Sequence, residues 1–246
     1  MSRAVTPARP GALMPRLSPA AEVALLARVL HRDGYDDHLA GHITYQQPDG
    51  TFLTNPLELA WDELRPEDIA TLDADGRQIA GCWTVTPAIG LHLELHRLRP
   101  DITVAVHNHP TWATVWAAAH RTPPIYEQTS SFLAEEIALY AEYESTVIDA
   151  NSARAAAEAI GTAPAALLAN HGVVVVGDSI PHVLVRAVAL ERRCKVAWQV
   201  EALGGGMPLP RGPARAMAEL QDQIRHPNLF EAMVRRELRA DPALLG

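Results

Sequence analysis

The spacing of apolar positions divides the chain into helix-like and strand-like stretches. Residues 1–17 carry scattered Arg and Pro and read as a flexible lead-in. AEVALLARVL then has apolar residues at helical spacing, with Ser18 as a cap and Pro19 in the first turn. GYDDHLAG interrupts it. HITYQQPDGTFLTN holds two strand-like pieces around Pro-Asp-Gly and predicts a hairpin, and ATLDADGRQI predicts a second. Between Pro87 and Leu98, Leu91, Leu95 and Leu98 form one helical stripe that Pro100 ends. The strand ITVAVH follows, with helices predicted over residues 111–119, 131–141 and 150–160. AALLANHGVVVVG reads as two apolar strands broken at Asn-His-Gly. A long helix is predicted over 179–203, ending at the glycines 204–206, and two short amphipathic helices follow with a break at Pro227. This order predicts an α/β fold, a three-layer sandwich with helices on both sides of a central, mostly antiparallel sheet. One domain is expected over 18–202, with 203–246 as a helical C-terminal extension packed on it.

Composition narrows the function classes. Apolar residues make up 48% of the 246, enough for a substantial core. The net charge of −8 and the lack of a long Lys/Arg block argue against a nucleic-acid partner. Cys82 and Cys194 make no disulfide framework and suit a reducing compartment. The lead-in has no continuous apolar core of a signal peptide, and no run is long enough to span a bilayer, so the expected location is cytoplasmic, without a membrane partner.

The candidate chemistry lies in ITVAVHNHP. Alternate side chains of a strand share a face, so His107 and His109 can point together beyond the strand's end. His171, in the Asn-His-Gly break, supplies a third imidazole, and Gly172 after it would relieve crowding. Neutral imidazoles ligate zinc, iron or manganese, and three with open positions suit a catalytic site. The competing reading is of separate surface or hydrogen-bonded core histidines. Trp112 and Trp116 follow at helical spacing, as core packing or as an aromatic wall for a planar ligand. His38 and His120 read as loop or helix-surface residues, and Glu135 and Glu136 as the solvated start of a helix.

VAVHNHPTWATVWA, LLANHGVVVVG and GHITYQQPDGTFLTNP resemble the class II aldolase/adducin family, over about residues 19–202. The resemblance implies a divalent metal held by His107, His109 and His171, zinc ahead of iron(II) or manganese. It also implies a homotetramer with clefts between subunits. Two departures matter. The position of the family's catalytic glutamate falls on Ala88, and Glu94 lies nearly two helical turns further on, facing another direction. The positions that hold phosphate in sugar-phosphate aldolases fall on His42, Pro56-Leu57 and Thr86-Pro87, which points away from a phosphate ester. The expected function is therefore a metal-dependent lyase, first a decarboxylase of a small unphosphorylated hydroxy- or oxo-carboxylic acid, aromatic acids included. His42, Tyr126 and Glu127 are its candidate catalytic groups, although His42 also has a plain role within the GHIT turn. The alternatives are an aldolase on an unphosphorylated 2-oxo or hydroxy acid, a non-haem iron(II) oxygenase, and an adducin-like interaction module.

Overall fold

A computed structural model of the chain describes residues 13–134, 136–142, 150–224 and 227–246. Its strands are β1 (His42–Gln46), β2 (Phe52–Thr54), β3 (Ala70–Leu72), β4 (Gln78–Ala80), β5 (Val104–Asn108), β6 (Ala138–Tyr140), β7 (Ala165–Leu168) and β8 (Gly172–Gly177). They form one sheet in the order β4-β3-β2-β1-β5-β8-β7-β6. Neighbours pair antiparallel except β6 with β7. The helices are α1 (Pro19–Arg32), α2 (Gly90–Leu98), α3 (Thr111–Ala118), α4 (Ala150–Ile160), α5 (Ile180–Ala202), α6 (Arg211–Ile224) and α7 (Pro227–Ala240).

The period-2 alternation of the central strands makes the sandwich. Val104 and Val106 of β5, with Val173 and Val175 of β8, enter the core beneath α1, α3, α5 and α7. Ala105, Val174 and Val176 enter a second core beneath α2 and α4. Strands covered on both faces need apolar residues at every position, and GVVVVG meets that need. Both predicted hairpins form, and α1 is capped by the Ser18 side chain, which accepts from the Ala21 amide at 3.2 Å. The predicted helix at 87–98 begins as a 3-10 turn, Pro87–Ile89, before α2.

The helix expected over 131–141 does not form. A 3-10 turn, Thr129–Leu133, leads instead to β6, which pairs with β7 through Ala138↔Ala166 and Tyr140↔Leu168. Buried Leu133 and Ile137 stand four apart and imitate a helical stripe, but strand pairing at the sheet's edge decides the backbone. Glu136 therefore precedes a strand and starts no helix, while Glu135 and residues 1–12 of the lead-in lie outside the described residues. Cys194 is buried, Cys82 is exposed, and both are free thiols. At the C-terminal end, α7 lies on α1, where Arg32 donates to Glu237 at 3.1 Å. Among the described residues no helix is long and apolar enough to cross a membrane.

Candidate metal centre

His107 is the penultimate residue of β5, on the face it shares with Ala105, and His109 follows the strand's end. Antiparallel pairing of β5 with β8 sets Asn108 opposite Val173, which brings the β7–β8 turn and its His171 alongside the His-x-His pair. Asn170 holds that turn at φ 55°, a left-handed conformation that Asn tolerates better than most residues. Gly172 is required by close approach: a Cβ there would stand 2.4 Å from His109 Cδ2 and 2.6 Å from the Asn108 carbonyl oxygen.

The three rings surround one point, with centroids 5.0 Å (His107–His109), 4.8 Å (His107–His171) and 4.9 Å (His109–His171) apart. One nitrogen from each lies within 4.8 Å of the others. His107 Nδ1 donates to the Val173 carbonyl at 2.9 Å, which leaves Nε2 as the free lone pair. His109 Nδ1 stands 2.7 Å from Asp37 Oδ2, and its Nε2 is buried with no hydrogen-bond partner among the described residues. Burial holds His107 well below the ordinary imidazole range, the neighbouring imidazoles adding to the effect. His171 is brought down to about 4, by burial first and by His109 second. Three imidazoles whose nitrogens lie this close together are what a divalent metal requires, so the residues fit one.

Beside the triad lies a cavity of about 190 Å³. Leu39, Pro56, Leu57, Ala88 and Leu91 make its apolar wall, and the described lining residues include no Lys, Arg, Asp or Glu. Its Asn55 is consumed internally: Oδ1 accepts from the Ile43 amide at 2.8 Å and Nδ2 donates to the Gly41 and Pro56 carbonyls. His42, paired across β1–β5 with His107, also lines it, and burial pushes its pKa down to about 3. His42 Nδ1 is buried without a hydrogen-bond partner among the described residues. Behind it stand His92, with ring centroids 4.3 Å apart, and Thr44, whose hydroxyl lies 3.0 Å from His92 Nδ1 and 2.9 Å from His96 Nε2. This buried cluster escaped the sequence reading. Its signal was present: His92 and His96 are i, i+4 on the buried face of α2, and His42 and Thr44 are i, i+2 on β1.

The family model described as "Class II Aldolase and Adducin N-terminal domain" matches residues 21–198. The chain belongs to this family. Class II aldolases typically depend on a divalent metal, usually zinc. One relative is the "4-hydroxy-3-prenylphenylpyruvate oxygenase/4-hydroxy-3-prenylbenzoate synthase" of Streptomyces roseochromogenus subsp. oscitans, 29% identical over 90% of this chain and 82% of its own. Another is the 3,4-dihydroxyphthalate decarboxylase of Arthrobacter keyseri, 30% identical over 81% of this chain and 85% of its own. The solved L-fuculose 1-phosphate aldolase from Glaciozyma antarctica PI12 shares the fold with a TM-score of 0.81 at 19% identity, covering 94% of this chain and 96% of that one. Decarboxylases and aldolases both occur among the relatives of this class II aldolase-like chain.

The remaining candidates stand apart from the cavity within this chain of the family. Glu127 accepts from the Thr129 and Ser130 amides at 2.8 and 2.9 Å, from the Ser130 hydroxyl and from Arg192 Nε. Burial pushes its carboxyl up, but the Ser130 hydroxyl, the amides and Arg192 outweigh this and bring it down to about 2. Tyr126 packs against the core beside Gly206. Trp116 is buried and donates to the Cys194 carbonyl at 2.9 Å, and Trp112 faces Trp198 at 5.1 Å, so neither lines the cavity. His38 and His120 both adopt positive φ; His120 lies 3.0 Å from the Asn170 side chain, at the turn that carries His171. Glu94 turns outward and pairs with Arg97, leaving the Ala88 position without a carboxylate.

Proposed function

We propose that this chain is a metal-dependent carbon–carbon lyase that decarboxylates a small, unphosphorylated hydroxy- or oxo-carboxylic acid carrying an aromatic ring. The observation that carries this reading is the cavity: Pro56 and Leu57 line it at positions that hold phosphate in the sugar-phosphate aldolases, no Lys or Arg is among the described lining residues, and it is open to three imidazoles. In this reading His107, His109 and His171 hold zinc. A bound divalent metal supplies a Lewis acid that draws the charge developing on an oxygen next to the breaking bond. The protein's own part is to seat the ring against Leu57, Ala88 and Leu91 and to present His42 to the substrate. When the carboxylate leaves as carbon dioxide, its bonding electron pair stays on the neighbouring carbon, which then takes up a proton. Bond breaking needs no base, which agrees with alanine at position 88. Neutral His42 orients the carboxylate or passes that proton. Tyr126 and Glu127 belong to this reading as residues offered to the cleft of a neighbouring copy in a homotetramer. Both relatives named above carry names of aromatic acids, which supports the ring.

A second reading is favoured by one of those names: an iron(II) oxygenase, in which substrate and dioxygen share the open positions. The test is product analysis on protein loaded with zinc or with iron(II). It is offered hydroxy- and oxo-substituted aromatic acids and, separately, a sugar phosphate. Carbon dioxide release without oxygen uptake supports decarboxylation. Aldehyde or pyruvate indicates aldol cleavage, oxygen uptake indicates the oxygenase, and turnover of the sugar phosphate alone refutes the proposal.

A further inference from the structure

We infer that Asp37 is a positioning residue for the metal: its carboxylate fixes the His109 ring with Nδ1 protonated and Nε2 turned to the ion. The inference rests on the metal reading above and extends it to a residue outside the cavity. His107 is oriented by the sheet itself, since its Nδ1 donates to the carbonyl of Val173 on the adjoining strand. His109 lies beyond the last residue of β5, where no ladder holds a side chain. Among the described residues its Nδ1 meets the Asp37 carboxylate, at 2.7 Å.

The segment that delivers Asp37 is anchored at both ends. Buried Tyr35 donates its hydroxyl to the Ala187 carbonyl at 2.8 Å. Asn108 Nδ2 donates to the Ala40 carbonyl at 3.1 Å, while Asn108 Oδ1 accepts from the His109 amide at 2.6 Å. One side chain, set between two metal ligands, thus ties the Asp37 segment to His109. Within the segment the His38 amide donates to the Asp36 carbonyl and the Ala40 amide to the Asp37 carbonyl, both at 2.8 Å. His38, at φ 50°, approaches the second carboxylate oxygen of Asp37 at 3.1 Å. The carboxylate is therefore aimed before any ion arrives. An anionic acceptor on Nδ1–H makes Nε2 a stronger ligand and removes the competing tautomer. Asp37 does not line the cavity, so it acts through His109 and not on a substrate.

The experiment measures Zn²⁺ affinity of the full chain by competition with a chromophoric chelator, for wild type, Asp37→Asn and His38→Asn, beside the melting temperature of each metal-free protein. Asp37→Asn keeps the size of the side chain and loses its charge. Its affinity is expected to fall about 10- to 100-fold, the usual cost of losing an outer-shell partner, with its metal-free melting temperature unchanged. His38→Asn, whose residue tolerates positive φ, is expected to stay within about threefold. Asp37→Asn binding Zn²⁺ like wild type overturns the inference and leaves the metal reading standing; wild type binding no Zn²⁺ overturns both. A matching loss of metal-free stability in Asp37→Asn assigns Asp37 to the fold and also overturns it. Nitrogen-15 NMR of metal-free wild type decides independently of any variant. His109 protonated on Nδ1 supports the inference, and protonation on Nε2 contradicts it.

Discussion

Replacing Gly172 with alanine perturbs the metal centre without removing a ligand. The added Cβ would lie 2.4 Å from His109 Cδ2 and 2.6 Å from the Asn108 carbonyl oxygen. Nonbonded carbons rest at about 3.5 Å, so His109 or the strand end must give way by about 1 Å. Gly172 is not in the left-handed region, so alanine meets no conformational penalty and the effect is steric alone. Metal–ligand distances tolerate only about 0.2 Å, so a ring displaced by that much no longer ligates with the other two. Zn²⁺ affinity should fall by about 100-fold, the upper end of what loss of ligand support costs. Overpacking should cost about 1–3 kcal/mol of stability, or about 2–12 °C in melting temperature for a chain of this size. Chelator competition and thermal melting read the two effects. Gly212→Ala is the control, because a Cβ there meets nothing within 4 Å. Wild-type Zn²⁺ affinity in Gly172→Ala would refute the packing argument and the placement of His109 as a ligand.

Other outcomes follow from the same geometry. His96 is held at about 4 by burial, below its unfolded value near 6.5, so it contributes stability fully above that value and loses it as pH falls through the window down to 4. At one pH unit below the unfolded value this costs at most about 1.4 kcal/mol, and metal-free protein should melt at lower temperature at pH 5.5 than at pH 7. Glu191, raised to about 7 by burial, works in the opposite sense between 4.5 and 7, so Glu191→Gln should steepen the acid loss; an unchanged slope contradicts the assignment. Glu191→Ala orphans the Trp112 and Ala113 amides at the start of α3 and should cost about 2–4 kcal/mol in denaturant unfolding. Ala88→Glu sets a carboxylate among the cavity's apolar residues and should lower kcat/KM for an anionic acid at least about tenfold; equal or faster turnover counts against the proposed binding mode.

What was legible in the sequence was local. His107 and His109 share a face because a strand repeats every two residues, and the Asn-His-Gly break between two apolar runs places His171 at a turn. The crowding that Gly172 relieves was equally readable, and the structure gives it a distance. Sequence spacing is silent on pairing across the chain. The edge strand β6 was misread as helix because Leu133 and Ile137 fit a helical period, whereas its partner is β7, some thirty residues on. The Asp37–His109 contact, across 72 positions, and the His92–Thr44–His96 cluster are likewise products of topology. That Glu127 accepts from the Thr129 and Ser130 amides and from Arg192 was not legible either, because a 3-10 turn and a helix 65 positions further on bring those donors to it.

The most direct test of the central claim is the metal content of anaerobically purified protein, wild type against His107→Ala and His171→Ala. The account predicts about one divalent ion per chain in wild type and loss of it in both variants. Wild type that stays metal-free after reconstitution, or variants that retain the ion, would contradict it.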